Sequence, residues 1–105
     1  MPDALPIPDD LVQLQRDRIA AENALAEYVT AVETRRRAAY PEPEQVVHRV
    51  TWTDEESARY KQLRAARDDL MWQVRRHPTI ARAFEERCWP QTWEALQAAA
   101  RASSS

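Results

Sequence analysis

The 105-residue sequence contains no glycine, although average usage would supply about seven. Glycine is the residue that most readily adopts a positive φ angle and lets a ligand approach the backbone closely. Its absence argues against glycine-rich loops that bind nucleotides or form oxyanion holes, and against the tight turns of β-hairpins. Composition therefore favours a helical protein without a nucleotide-binding loop.

Cysteine, histidine and long apolar runs are also scarce. Cys88 is the only cysteine, so an intrachain disulfide is excluded, and with His48 and His77 it does not form the spacing of a zinc site. No segment approaches the roughly 18 continuous apolar residues of a membrane span. The first residues lack the basic and apolar regions of a signal peptide. We therefore expect no metal, no cofactor, no contact with a membrane and a cytoplasmic location.

The residues that are abundant favour helices. There are 18 alanines and 14 arginines beside a single lysine, and alanine and arginine are both good helix formers. A threonine followed by a glutamate three residues later, Thr53 and Glu56, predicts a capping box at a helix start. Prolines and this box delimit four predicted helices, over residues 10–39, 54–76, 78–89 and 91–102.

The expected fold is all-α, with at least about 65% helix. It is an antiparallel hairpin of the two long helices, closed by the two shorter C-terminal helices. The length fits a single domain, residues 1–105. Residues 1–8 are expected to form an extended lead-in, residues 40–52 a proline-rich linker and residues 103–105 a frayed tail. Within the linker, residues 46–52 are rich in valine and are predicted to be extended, as at most one short strand.

The first long helix carries an apolar stripe with alternating spacings of three and four residues. The stripe comprises Leu11, Leu14, Arg18, Ala21, Leu25, Tyr28 and Val32. This heptad pattern is typical of helices that pair along one face. Because the second helix is shorter, part of the stripe should stay uncovered. We therefore expect a homodimer with Leu11, Leu14, Tyr28 and Val32 in its interface.

Four tryptophans are a large number for so short a chain. Trp89 and Trp93 are four residues apart, so their rings could stack along one helix surface. Trp72 falls on the back of the second helix. Either the C-terminal helices cover it, or it anchors a partner protein in the interface.

Two arginines, Arg18 and Arg67, interrupt the apolar faces of the long helices. Their long stems could carry the charges to water at the edge of the bundle. Alternatively they bind an anionic ligand or fix the register of helix pairing. The basic residues between 59 and 82, and the run Arg35–Arg37, have two interpretations as well. They could contact nucleic-acid phosphates or form an ordinary charged surface.

No catalytic residue is predicted. The adjacent acids Asp68-Asp69 and Glu85-Glu86 point about 100° apart on a helix and so do not converge. The sequence favours a non-catalytic protein–protein interaction or assembly module. One alternative is a small DNA-binding regulator that pairs residues 46–52 across a dimer, although the net charge of −2 does not favour nucleic acid. Another is a small helical enzyme or anion-binding protein with a pocket near Arg18 and Arg67.

Overall fold

The computed structural model describes residues 3–102, and 84% of the described residues are helical. Within this range there are five α-helices, one 3-10 turn and no strand. The elements are α1 (Asp9–Ala39), the 3-10 turn (Pro43–Gln45), α2 (Val46–Val50), α3 (Asp54–Arg76), α4 (Pro78–Glu85) and α5 (Trp89–Ala102). The all-α prediction is confirmed, whereas the expected frayed tail at 103–105 lies outside the described residues.

The two long helices have the bounds that local signals predicted. The capping box at the start of α3 is complete: the Glu56 N–H donates to Thr53 Oγ1 at 3.0 Å, and the Thr53 N–H donates to Glu56 Oε1 at 2.9 Å. Asp9 and Asp10 place negative charge in the first turn of α1, where it complements the helix dipole. None of the helices in the described range is both long and apolar enough to cross a bilayer.

The chain divides into two compact units. The terminal unit comprises Met1–Ala20 and Asp68–Ser105, and the central unit comprises Ala21–Arg67. In the terminal unit the beginning of α1 packs against the end of α3, and in the central unit the end of α1 meets the beginning of α3. This is the predicted antiparallel pairing. That the whole chain behaves as one domain stays a prediction.

The core of the terminal unit forms where four helices meet. Leu11 of α1, Ile80 of α4 and Leu96 of α5 have no exposed surface, and Val74 of α3 has almost none. The N-terminal lead-in is bound to this unit, because the Leu5 N–H donates to the buried Thr92 Oγ1 at 3.1 Å. The helices of the terminal unit therefore bury apolar surface of α1 that the sequence alone had left uncovered.

The turn between α4 and α5 adopts a left-handed conformation without glycine. Arg87 has a φ of 57°, and this costs a non-glycine residue about 1 kcal/mol. The Cys88 N–H donates to Ala83 O at 2.9 Å and the Arg87 N–H to Phe84 O at 3.2 Å, the pattern of a Schellman cap. The prediction that this helix continues to residue 89 was therefore wrong. Pro90 lies in the first turn of α5, where no backbone N–H is required.

The prediction of an extended segment after the first helix was also wrong, because Val46–Val50 is helical. Side chains add hydrogen bonds to the carbonyl groups of this short helix, one of which, Val47 O, also accepts from the Thr51 N–H at 3.1 Å. Thr51 Oγ1 donates to Val47 O at 2.6 Å, and Arg36 Nη1 donates to His48 O at 2.8 Å. These contacts outweigh the weak preference of valine for strands.

Arg36 and Glu56 connect three helices of the central unit. The Arg36 guanidinium donates to the Glu56 carboxylate, and the two side chains are only 12% and 17% exposed. The Thr53 backbone N–H and the Arg36 guanidinium together hold the pKa of Glu56 below its ordinary value. The capping-box glutamate thus has a second role, as the partner of the last inward-facing arginine of α1.

The lowered pKa of Glu56 predicts a specific loss of stability in acid. A carboxylate whose pKa is lower in the folded state stabilises the fold above its unfolded pKa, and that contribution disappears as the pH falls through the folded pKa. We expect Glu56→Gln to be less stable than the wild type at neutral pH. This difference should shrink as the pH falls below about 4.3, the ordinary pKa of glutamate. Urea unfolding at a series of pH values measures it.

The control is Glu55→Gln, which removes the neighbouring exposed carboxylate. We expect its difference from the wild type to be small at every pH. The free energies of unfolding of wild type and Glu56→Gln could instead differ by the same amount from neutral pH to acid. That result would show that the ionised carboxylate is not the stabilising form.

Candidate interaction surface

Three aromatic rings contact one another in sequence on the terminal unit, and we call them the aromatic row. Phe84 at the end of α4 stacks on Trp89 with ring centroids 4.5 Å apart and planes inclined by 15°. Trp89 and Trp93, one turn apart on α5, have centroids 5.2 Å apart. The predicted contact between the two tryptophans is confirmed. Phe84 is 58% exposed, so the row presents apolar surface to solvent.

An arginine lies beside the Trp93 end of the row. The Arg18 guanidinium lies 6.0 Å from the centroid of the Trp93 ring, at the outer limit for a cation–π contact. Its Nε donates to Gln15 Oε1 at 3.0 Å, and Gln15 Nε2 donates to Gln97 Oε1 at 2.8 Å. Gln15 has no exposed surface, so this chain of hydrogen bonds holds the Arg18 guanidinium on its buried side.

A small cavity beside Trp89 and Trp93 has a volume of about 210 Å³, and we call it the arginine pocket. Six residues line it: Arg18, Met71, Val74, Arg75, Trp89 and Trp93. Four of the six are apolar and two carry positive charge. Pockets for small-molecule ligands usually measure about 300–1,000 Å³, so this cavity is suited to something the size of one side chain.

The opposite end of the row carries charges of both signs, since the exposed Arg82 and Arg87 flank Glu85 and Glu86. Glu85 follows Phe84 directly and is exposed. The next residue, Glu86, pairs with Arg82 on the same helix. The row therefore has an apolar centre, side chains of both charges near Phe84, and two arginines in the pocket beside Trp89 and Trp93.

The structure changes the interpretation of the stripe on α1. Leu11 and Val32, both predicted interface residues, have no exposed surface. Helices of the same chain cover Leu11, as the terminal core shows, so neither side chain is free to contact a second copy. Leu14 and Tyr28 are half-buried, and their place in an interface stays a prediction.

Trp72 and Arg67 are the remaining predicted site residues. Trp72 is 56% exposed, so the first of the two alternatives for this residue, coverage by the C-terminal helices, does not hold. The Arg76 guanidinium lies over its ring, 5.1 Å from the centroid, and a role as an anchor for a partner stays a prediction. Arg67 is half-buried and belongs to the central unit, whereas the pocket beside Arg18 is lined by residues of the terminal unit.

The central unit has a second aromatic group around Trp52. Its ring contacts Tyr28 edge-on at 6.2 Å and Tyr60 edge-on at 5.6 Å. A wide cleft of about 420 Å³ lies beside it, lined by Val29, Trp52, Ser57, Tyr60, Lys61 and Arg64. This cleft combines an aromatic wall with two cations.

His77 and Cys88 make contacts that stabilise the terminal unit. His77 Nδ1 accepts a hydrogen bond from the Thr79 N–H at 3.1 Å and so caps α4. Its Nε2 lies 2.8 Å from the Asp10 carboxylate, and this hydrogen bond lowers the pKa of Asp10. Cys88 is buried, as a small core residue would be. Residues 3–102 contain no group of three or more potential metal ligands.

Sequence reasoning missed Phe84 and Arg75 as site residues. Phe84 joins the row only because the left-handed turn at Arg87 ends α4 early, and no glycine marks that turn. Arg75 is one of many arginines on α3, and nothing in its spacing distinguishes it from its neighbours. Comparisons of the chain with protein-family models, with curated proteins and with solved structures found no match.

Proposed function

We propose that the protein is a non-catalytic assembly module that forms a homodimer through the aromatic row. The observation that carries this proposal is a row of three contacting aromatic rings that is exposed at Phe84. Contiguous exposed apolar surface rimmed by polar residues is typical of protein interfaces. Aromatic residues and arginine are also the residue types enriched at the centre of such interfaces.

A second copy of the chain is the proposed partner, because two-fold dimers are the commonest symmetric assemblies. The proposal transfers the homodimer expected from the sequence from the α1 stripe, much of which is buried, to α4 and α5. The cytoplasmic location stays a prediction.

The alternative of a DNA-binding regulator is less well supported. It depended on pairing residues 46–52 across a dimer as strands, and Val46–Val50 is helical. Arg36, the middle member of the basic run at the end of α1, is directed at Glu56 and His48 O within the chain. Fewer arginines are therefore available for phosphate contacts than the sequence suggested.

Sedimentation velocity of the wild-type chain over about 1–100 µM tests the proposal. We expect a reversible shift from a 12.2 kDa monomer to a species of twice that mass as the concentration rises. A monomer at every concentration would contradict the proposed homodimer.

A further inference from the structure

We propose that the wide cleft beside Trp52, which we call the central cleft, binds a small aromatic anion. The ring of this ligand lies against Trp52, and its charge lies between Lys61 and Arg64. All of the described lining residues belong to the central unit, so the site is separate from the aromatic row and goes beyond the proposed dimer. The volume of about 420 Å³ lies within the usual range of about 300–1,000 Å³ for small-molecule sites.

One wall of the central cleft is aromatic and is held in place by packing. The Trp52 ring contacts Tyr28 and Tyr60 edge-on, with centroids 6.2 Å and 5.6 Å away. Trp52 and Tyr60 are half-buried, so each ring keeps part of its surface accessible to a ligand. Val29 of α1 adds an aliphatic surface to the lining. A flat ring can pack on such a wall in the offset or edge-on arrangements that aromatic groups prefer.

The polar side of the cleft comes from one face of α3. Ser57, Lys61 and Arg64 follow one another at spacings of four and three residues, so their side chains share that face. The Arg64 guanidinium lies 5.9 Å from the centroid of the Tyr60 ring, which places a positive charge beside the aromatic wall. Within residues 3–102, neither Lys61 nor Arg64 forms an ion pair. Both cations are therefore available to an anion from outside the chain.

The charge of the cleft selects an anion as its ligand. Among the described residues that line it, none is acidic. Asp54 and Asp68 lie near the two ends of the same face of α3, but neither lines the cleft. Elsewhere in the central unit an arginine meets an acid of its own chain, as Arg36 meets Glu56. Two cations without such a partner, next to an aromatic wall, are complementary to a ring that carries a negative group.

Titration with a naphthoate anion, followed in amide NMR spectra of the full chain, tests the proposal. We expect the indole N–H signal of Trp52 and the backbone signals of Lys61 and Arg64 to shift until they saturate, with a dissociation constant below about 1 mM. Naphthylmethanol has the same rings without the charge and should bind at least about tenfold more weakly, because it gains no charge-assisted hydrogen bonds. Equal binding of the two probes, or shifts of the Trp52 signal that do not saturate, would overturn the proposal.

Two double variants show whether the cations of the cleft are responsible. Lys61→Gln/Arg64→Gln should raise the dissociation constant of naphthoate about tenfold, because it removes both charges that face the anion. The control Arg59→Gln/Arg75→Gln removes two charges from the same helix at positions that do not line the cleft, and its dissociation constant should stay within about twofold of the wild type. Equal losses of affinity in the two variants would show an effect of net charge alone and contradict the proposed site. Wild-type affinity in Lys61→Gln/Arg64→Gln would contradict it as well.

Discussion

Replacing Leu11 with alanine is expected to lower the free energy of unfolding by about 3 kcal/mol. Leu11 has no exposed surface and lies in the cluster with Val74, Ile80 and Leu96, so its truncation leaves a cavity that the surrounding helices cannot fill completely. For a chain of this size, a loss of that magnitude is a substantial fraction of a total stability of about 5–15 kcal/mol. Urea unfolding followed by circular dichroism measures it.

Leu14 provides the control for this prediction, because it belongs to the same stripe one turn later but is only half-buried. Leu14→Ala should cost clearly less than Leu11→Ala, about 1 kcal/mol. The sequence alone predicted that both leucines lie in a dimer interface. If Leu11→Ala leaves the free energy of unfolding unchanged and abolishes self-association, Leu11 lies in a dimer interface. The burial of Leu11 within its own chain would then be wrong.

Arg36→Ala is the second substitution with a large expected effect, a loss of about 2 kcal/mol in the free energy of unfolding. The arginine donates to Glu56 and to His48 O, and its removal leaves a carboxylate with 17% exposure without its closer guanidinium partner, with Arg35 still 3.7 Å away. A charged group that loses its partner in a partly buried site is destabilising, because its desolvation is no longer offset. Chemical denaturation at neutral pH measures this loss.

The neighbouring arginine is a matched control. Arg37 is 74% exposed and lies 3.8 Å from Glu33, an exposed pair of the kind that contributes little. Arg37→Ala should change the free energy of unfolding by no more than about 0.5 kcal/mol. Equal changes in the free energy of unfolding for Arg36→Ala and Arg37→Ala would mean that the run Arg35–Arg37 acts only through its total charge. The specific contact between Arg36 and Glu56 would then not stabilise the fold.

The long helices could be predicted because their signals are local. The capping box at Thr53 and the prolines after Tyr40 act within a few residues, and the bounds of α1 and α3 follow from them. The helix at Val46–Val50 could not be predicted in this way. One of its carbonyl groups accepts a hydrogen bond from Arg36, which is more than ten residues away. The strand propensity of valine contains no information about that contact.

The candidate site was predicted only in part, for the same physical reason. The spacing of Trp89 and Trp93 indicated that their rings would meet, because residues four apart share a helix face. Phe84 reaches the row through a backbone conformation at Arg87 that most sequences mark with glycine. Which part of the α1 stripe is covered depends on how α3, α4 and α5 pack, and periodicity along one helix cannot specify its neighbours.

The most direct test of the central claim compares two charge-introducing variants at exposed apolar positions, Phe84→Glu and Val47→Glu. The wild-type residues are 58% and 66% exposed, so both variants should fold, which circular dichroism would verify. The measurement is the dimer dissociation constant by sedimentation velocity. We expect Phe84→Glu to be monomeric at about 100 µM and Val47→Glu to associate as the wild type does. Dimers of Phe84→Glu with unchanged affinity, or a loss of association in Val47→Glu alone, would contradict the assignment of the interface to the aromatic row.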